Sequence, residues 1–200
     1  YENAEMIITN SVYSLNYLKD LFPKQINKII KIDFSLDCKK FKIQKKLNLI
    51  TYMPRKLPDH SNLLKFYLRG LLPKGWKIVP LQNISQAQLV NTLSKSKIFL
   101  SFSNLEGIGL PPIEAALSGN KVIGYVGGGG SEFWKKPLFT KVENGEIRDF
   151  GKKTLLWIYK YNNNWIKKTK KHRKDLERQY SEKNEILSLM KLSNKIINFF

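Results

Sequence analysis

The chain has 200 residues, 42% of them hydrophobic, so one compact α/β core with some appended helix is the default expectation. Lys and Arg number 35 against 16 Asp and Glu, a formal charge of +19, but the basic residues are spread along the chain and single out no polyanionic partner. A lone Cys38 excludes an internal disulfide, His60 and His172 lie too far apart to suggest a zinc site, and no apolar run approaches the roughly eighteen residues of a membrane span.

Met6 to Thr9 is a short β-rich run, with Asn10 or Ser11 as the cap of an amphipathic helix reaching Leu21 and Pro23 just beyond it. Ile29 to Ile32 makes a second strand, and residues 33–46 have no clear period and form a connection. From Leu47 the pattern is regular. Apolar runs at Leu47–Met53, Lys77–Pro80, Ile98–Phe102, Val122–Val126 and, more weakly, Phe139–Val142 are each separated by room for a helix. That alternation predicts a parallel sheet in a doubly wound, Rossmann-like α/β domain. Ser61 is expected to open one intervening helix, Ser85 with Gln88 to form a capping box on the next, and Gly119 to follow a helix that begins near Pro111.

Beyond Asp149 the strands stop, and residues 152–161, 165–180 and 182–200 are expected as additional carboxyl-terminal helices. Leu155, Leu156, Ile158 and Tyr159 are expected to cover sheet edges. The basic, Trp-containing run around Lys167–Lys171 faces water or an anionic partner, with a peripheral membrane contact among the options.

In an open parallel sheet the ligand sits beyond the carboxyl ends of the strands. The richest loop there follows Phe102 and reads Glu106-Gly107-Ile108-Gly109-Leu110-Pro111-Pro112-Ile113-Glu114. Its glycines let backbone approach a ligand, and a helix start with its positive dipole end suits a diphosphate. Glu106 and Glu114 cannot hold phosphate, but carboxylates accept hydrogen bonds from sugar hydroxyls. The combination implies a nucleotide diphosphate-sugar. Gly127 to Gly130 follow the next strand and are either a second wall of that cleft or a turn; their spacing does not fit a dinucleotide fingerprint.

Glu106 to Ala115 resembles the E-x7-E signature of retaining GT-B glycosyltransferases of the group 1 family, and the order of elements from about residue 47 to 160 is similar to that family's carboxyl-terminal domain. The resemblance implies that Glu114 binds the ribose and Glu106 the donor sugar, with Gly107, Ile108, Gly109 and Leu110 offering backbone to phosphate and sugar. It also places basic residues after the domain's first strand, where Arg55 and Lys56 stand; Arg55 would assist departure of the diphosphate and act with Glu106 in catalysis. The family's usual Gly-Arg pair is Pro54-Arg55 here, and its later Lys has no clear counterpart. Such enzymes need no bound metal, and this sequence has no Asp-x-Asp pair; the nucleotide-sugar is a substrate, so no cofactor is expected.

On this reading residues 1–46 are the closing strand and helix of an absent amino-terminal GT-B domain plus a linker, 47–160 the nucleotide-sugar-binding domain and 161–200 terminal helices. The chain, which opens on Tyr1 rather than Met, is expected to be a fragment that transfers little sugar alone and works in the cytoplasm or at the inner face of the membrane. Two competing readings are a basic nucleic-acid-binding protein, which leaves the acidic signature unexplained, and a non-catalytic nucleotide-sugar sensor.

Overall fold

The computed structural model describes residues 3–162 and 164–197. It begins with β1 (Ile7–Thr9), α1 (Val12–Leu21) and β2 (Ile29–Lys31), in which the strands pair in parallel with Ile7 opposite Ile29. Ser11 supplies the α1 cap, its Oγ accepting from the Ser14 N–H at 3.1 Å. No α1 residue is buried, so this helix contributes little to the core.

The main domain follows as β3 (Leu47–Tyr52), α2 (Pro58–Leu68), β4 (Lys77–Pro80), α3 (Gln86–Lys95), β5 (Ser96–Phe102), α4 (Leu110–Leu117), β6 (Lys121–Tyr125), β7 (Phe139–Lys141) and α5 (Ile147–Lys160). Then come α6 (Trp165–Lys168), α7 (Lys170–Gln179) and α8 (Glu182–Ile197). The five strands β3 to β7 form one parallel sheet in the order β4-β3-β5-β6-β7. Its direction of winding reverses between β3 and β5, so the loops leaving those two strands diverge and leave a crevice.

Strand alternation divides the core between the two faces of the sheet. Ile98, Leu100 and Phe102 of β5 join Leu64 and Leu68 of α2 and Phe150 and Ile158 of α5 on one side. Phe99, between them in sequence, joins Leu93 of α3, Ile113 and Leu117 of α4, and Trp165, Leu176 and Tyr180 from the terminal helices on the other. Helices on both faces make the doubly wound, Rossmann-like architecture read from the sequence, with the extra carboxyl-terminal helices packed on it.

Several local expectations shift. The helix expected to open at Ser61 starts at Pro58, because Pro fits the first helical position and Leu57 caps it with left-handed φ of 47°. Ser61 is interior instead, its hydroxyl donating to the Pro58 carbonyl at 2.9 Å. The capping box of Ser85 and Gln88 is present on both arms. Helix α5 begins at Ile147 rather than 152, and the helix expected over 165–180 breaks at Thr169 into α6 and α7. Of the four residues expected to cover sheet edges, Ile158 is buried but Leu156 and Tyr159 are exposed. Residues 198–200 of the last expected helix lie outside the described residues. Among those residues, no helix is long and apolar enough to cross a membrane.

Candidate functional site

The loops leaving β3 and β5 face each other across the reversal point. Lys56, four residues past β3, forms an ion pair with Glu106, four residues past β5. Met53, Ser103, Pro111 and Pro112 surround that pair. Arg55 does not join it. Arg55 is exposed and lines a neighbouring depression of about 380 Å³ with Leu81, Asn83, Ile84 and Gln86; Met53 borders both.

The glycine turn after β6 packs directly on the Glu106 loop. The Glu106 N–H donates to the Gly127 carbonyl at 2.9 Å, and the Gly129 N–H donates to the Glu106 carbonyl at 3.0 Å, giving a parallel bridge between Glu106 and Gly128. The two turns approach so closely that a Cβ on Gly129 would lie 1.8 Å from the Gly107 carbonyl oxygen. At Gly109, by contrast, a Cβ would meet nothing within 4 Å, although its φ of 81° still favours glycine. Open space thus lies over that residue.

Helix α4 starts at Leu110 with no side-chain cap. Two of its first three positions are Pro111 and Pro112, which have no N–H, so the helix start offers fewer donors than an ordinary one. The backbone N–H groups of Gly107, Ile108, Gly109 and Leu110 form no hydrogen bond to another described residue.

Glu114 is the fifth residue of α4, beyond the first turn, so the helix-start dipole does not account for it. It is buried, its carboxylate forms no hydrogen bond or ion pair to another described residue, and burial raises its pKa above the ordinary 4.5. A folded value above the unfolded one penalises the folded state only where the carboxylate ionises. The penalty is absent below about pH 4.5 and develops as pH rises through and beyond that value. Glu114→Gln is therefore expected to raise the melting temperature of the ligand-free protein near pH 7 and to lose that gain near pH 4. Each kcal/mol relieved is worth about 2 to 4 °C in a chain of this size. A melting temperature that falls equally at both pH values would mean that Glu114 is a structural residue.

Sequence reasoning singled out Glu106, Glu114, Lys56, the 107–110 backbone and Arg55, of which Lys56 and Glu106 pair, residues 107–110 continue the Glu106 loop into α4, Glu114 is buried within that helix, and Arg55 stands in the neighbouring depression. It missed two contributors from the amino-terminal unit. The Asn10 Oδ1 lies 3.2 Å from the position of a Cβ on Gly107, and the Tyr13 ring covers Gly128, where a Cβ would come within 2.8 Å. A polar residue directly after a short strand was the available signal for Asn10; nothing in the sequence marked Tyr13.

The fold, a five-stranded parallel sheet with helices on both faces, is shared with part of solved GT-B glycosyltransferases. Over 96% of the chain it superposes on a TarM variant of S. aureus, solved with fondaparinux, alpha-GlcNAc-glycerol and UDP, with a TM-score of 0.79 at 16% identity, covering 44% of that protein. A glycosyltransferase from Rickettsia africae superposes over 96% of the chain with a TM-score of 0.72 at 14% identity, covering 64% of its own length. In sequence, 53% of the chain is 28% identical over 108 residues to an alpha-1,6-glucosyltransferase of Actinobacillus pleuropneumoniae serotype 7, of which that match spans only 29%. No family model matches the chain.

Proposed function

We propose that this chain is the donor-binding part of a glycosyltransferase, holding a nucleotide diphosphate-sugar for transfer of its sugar to an acceptor hydroxyl with retention of configuration. The observation that carries the reading is the convergence, where the sheet reverses, of the Lys56–Glu106 pair with the unpartnered N–H groups of residues 107–110. Glu114 accepts from the ribose hydroxyls, which explains why a buried carboxylate lacks a protein partner. Glu106 accepts from the donor-sugar hydroxyls while Lys56 holds it in place. Lys56, Arg55 and the loop N–H groups face the diphosphate. The depression between Arg55 and Leu81–Gln86 takes the nucleobase.

In the reaction the bond from the anomeric carbon to the diphosphate oxygen breaks, a bond to the acceptor oxygen forms, and the proton of the acceptor hydroxyl passes to the departing diphosphate oxygen. The positive groups stabilise charge that develops on the departing diphosphate, which is preorganised electrostatic catalysis. This role requires no metal.

The amino-terminal unit supports a second domain. A two-stranded parallel sheet is a marginal structure by itself, and Ile8 of β1 is 50% exposed. Helix α8 is tied to this unit through Ser188, whose Oγ accepts from the Asp33 N–H at 2.9 Å, and it exposes Ile186, Leu187, Leu189 and Met190. Residues 1–46 together with α8 are accordingly the seam to an amino-terminal domain that completes the sheet and contributes to acceptor binding.

A thermal-shift panel of nucleoside diphosphates and nucleotide-sugars tests the reading. A donor at 100 times its dissociation constant adds about 2.7 kcal/mol, or roughly 5 to 10 °C here. Glu114→Gln should weaken the diphosphate and its sugar conjugate alike by about 1.5 to 3 kcal/mol, whereas Glu106→Gln should remove only the extra affinity of the sugar. A panel in which no nucleotide shifts the melting temperature would overturn the proposal.

A further inference from the structure

A second cleft beside the donor loops lies on the far side of Tyr13. It is a groove of about 650 Å³ between α1 and the segment after β6, lined by Tyr13, Asn16, Tyr17 and Asp20 on one wall and by Glu132, Lys135 and Gln179 among those facing them. Such a volume accommodates a small ligand. The groove is fixed to the donor loops: the Val12 N–H donates to Glu132 Oε1 at 2.5 Å, and the Tyr13 ring packs on Gly128, which bridges to Glu106.

Its chemistry is unlike the rest of the molecule. In a chain of net charge +19 the groove sets two carboxylates, Asp20 and Glu132, against one lysine, Lys135. Such a lining lacks the cluster of positive groups that would hold phosphate or sulfate, and its carboxylates accept hydrogen bonds from hydroxyls. Tyr13 and Tyr17 stand one helical turn apart, about 6 Å along the axis, and Tyr17 is 57% exposed. An exposed phenol ring presents an electron-rich face to weakly positive C–H groups and a hydroxyl at its edge. A ligand with C–H faces, many hydroxyls and no charge satisfies all of these groups together.

We propose that this groove is a subsite for an uncharged oligosaccharide, positioning the acceptor glycan beside the donor loops, with Tyr13 and Tyr17 as stacking platforms and Asn16, Asp20, Glu132 and Gln179 reading hydroxyls. The acceptor role rests on the donor-site reading above; the carbohydrate-binding site itself does not. An acceptor chain lying along α1 passes Tyr13 and reaches the Glu106–Gly128 bridge, where the sugar is delivered.

The test is an NMR titration of the 200-residue chain carrying isotope-labelled tyrosine with maltopentaose, cellopentaose and the pentamer of N-acetylglucosamine, and with a heparin-derived pentasaccharide as the charged control. At least one neutral pentasaccharide should shift the Tyr13 and Tyr17 ring signals, and Tyr17→Ala should weaken it about tenfold. Tyr17 is a surface position, so the substitution leaves the fold in place, and nucleotide binding should not change. No shift with any of the three neutral sugars, unchanged affinity in Tyr17→Ala, or preference for the heparin fragment would each overturn the subsite. The same samples are titrated with nucleoside diphosphates and their sugar conjugates. Nucleotide binding without saccharide binding sinks the groove and leaves the donor site standing; saccharide binding without nucleotide binding sinks the acceptor role together with the donor reading.

Discussion

Offered a matching nucleotide-sugar and a simple acceptor alcohol, the isolated 200-residue chain is expected to bind the donor and release no appreciable transferred product. Lys56 and Glu106 pair on one side of the crevice, and the loop that carries Glu106 runs through residues 107–110 into the helix that holds Glu114. The side that would orient an acceptor hydroxyl is represented only by β1, α1 and β2, whose sheet has two strands. Orientation of two reactants contributes roughly 7 to 11 kcal/mol to a barrier, so losing most of it leaves binding intact while transfer falls below detection. The measurement is a product assay on the purified chain beside a calorimetric titration of the same batch. Robust transfer would show that the catalytic constellation is complete within these residues and that the proposed need for a second domain is mistaken.

The second large effect is expected from Gly129→Ala. The added methyl group would sit 1.8 Å from the Gly107 oxygen, 2.4 Å from its carbonyl carbon and 2.8 Å from the Glu106 oxygen. All three are backbone atoms, so no rotamer change relieves the clash, and the two turns must part. Separation breaks both bonds of the Glu106–Gly128 bridge, each worth about 0.5 to 1.5 kcal/mol net, and adds overpacking strain of about 1 to 3 kcal/mol. The expected loss is about 3 kcal/mol, or roughly 6 to 12 °C in melting temperature, together with nucleotide binding. Gly130→Ala is the control. Its methyl group would meet only side chains, with the Val126 Cγ1 at 3.2 Å as the nearest contact, so the change should cost less than about 1 kcal/mol. Equal melting curves for the two variants would mean that the turns are not held as closely as described.

The sheet was legible because each strand is a compact apolar run between turn residues, and the α3 cap because Ser85 and Gln88 form both arms of one local device. Ser61 misled because Ser is favoured as a cap, yet here it sits inside the helix with its hydroxyl bonded back to the Pro58 carbonyl, and Leu57 at left-handed φ is a tertiary outcome with no sequence signature. Pro58 was the overlooked signal. The break at Thr169 has no Gly or Pro to announce it. It arises where the Thr169 hydroxyl donates to the Trp165 carbonyl at 2.8 Å and the Arg173 guanidinium donates to Thr169 and to the Ile166 carbonyl. At the candidate site, the glycine-containing loop beyond a strand and the E-x7-E spacing brought Glu106 and Glu114 forward. What separated their situations was not in the spacing: Glu106 has a lysine partner from a loop fifty residues earlier, and Glu114 has none.

The carbonyl of Gly119, just past the carboxyl end of α4, accepts from two donors at once, the Tyr161 hydroxyl at 2.9 Å and the Trp165 indole N–H at 3.1 Å. Farther along, the Tyr180 carbonyl accepts from the Leu36 N–H at 3.0 Å. For anyone trimming this chain to a minimal binder, the apparent stopping point after α5 is the wrong place to cut. Ending at residue 160 would strip both anchors from the helix that carries Glu114 and bare the apolar face that Trp165, Leu176 and Tyr180 now cover. A useful truncation begins its search beyond Tyr180.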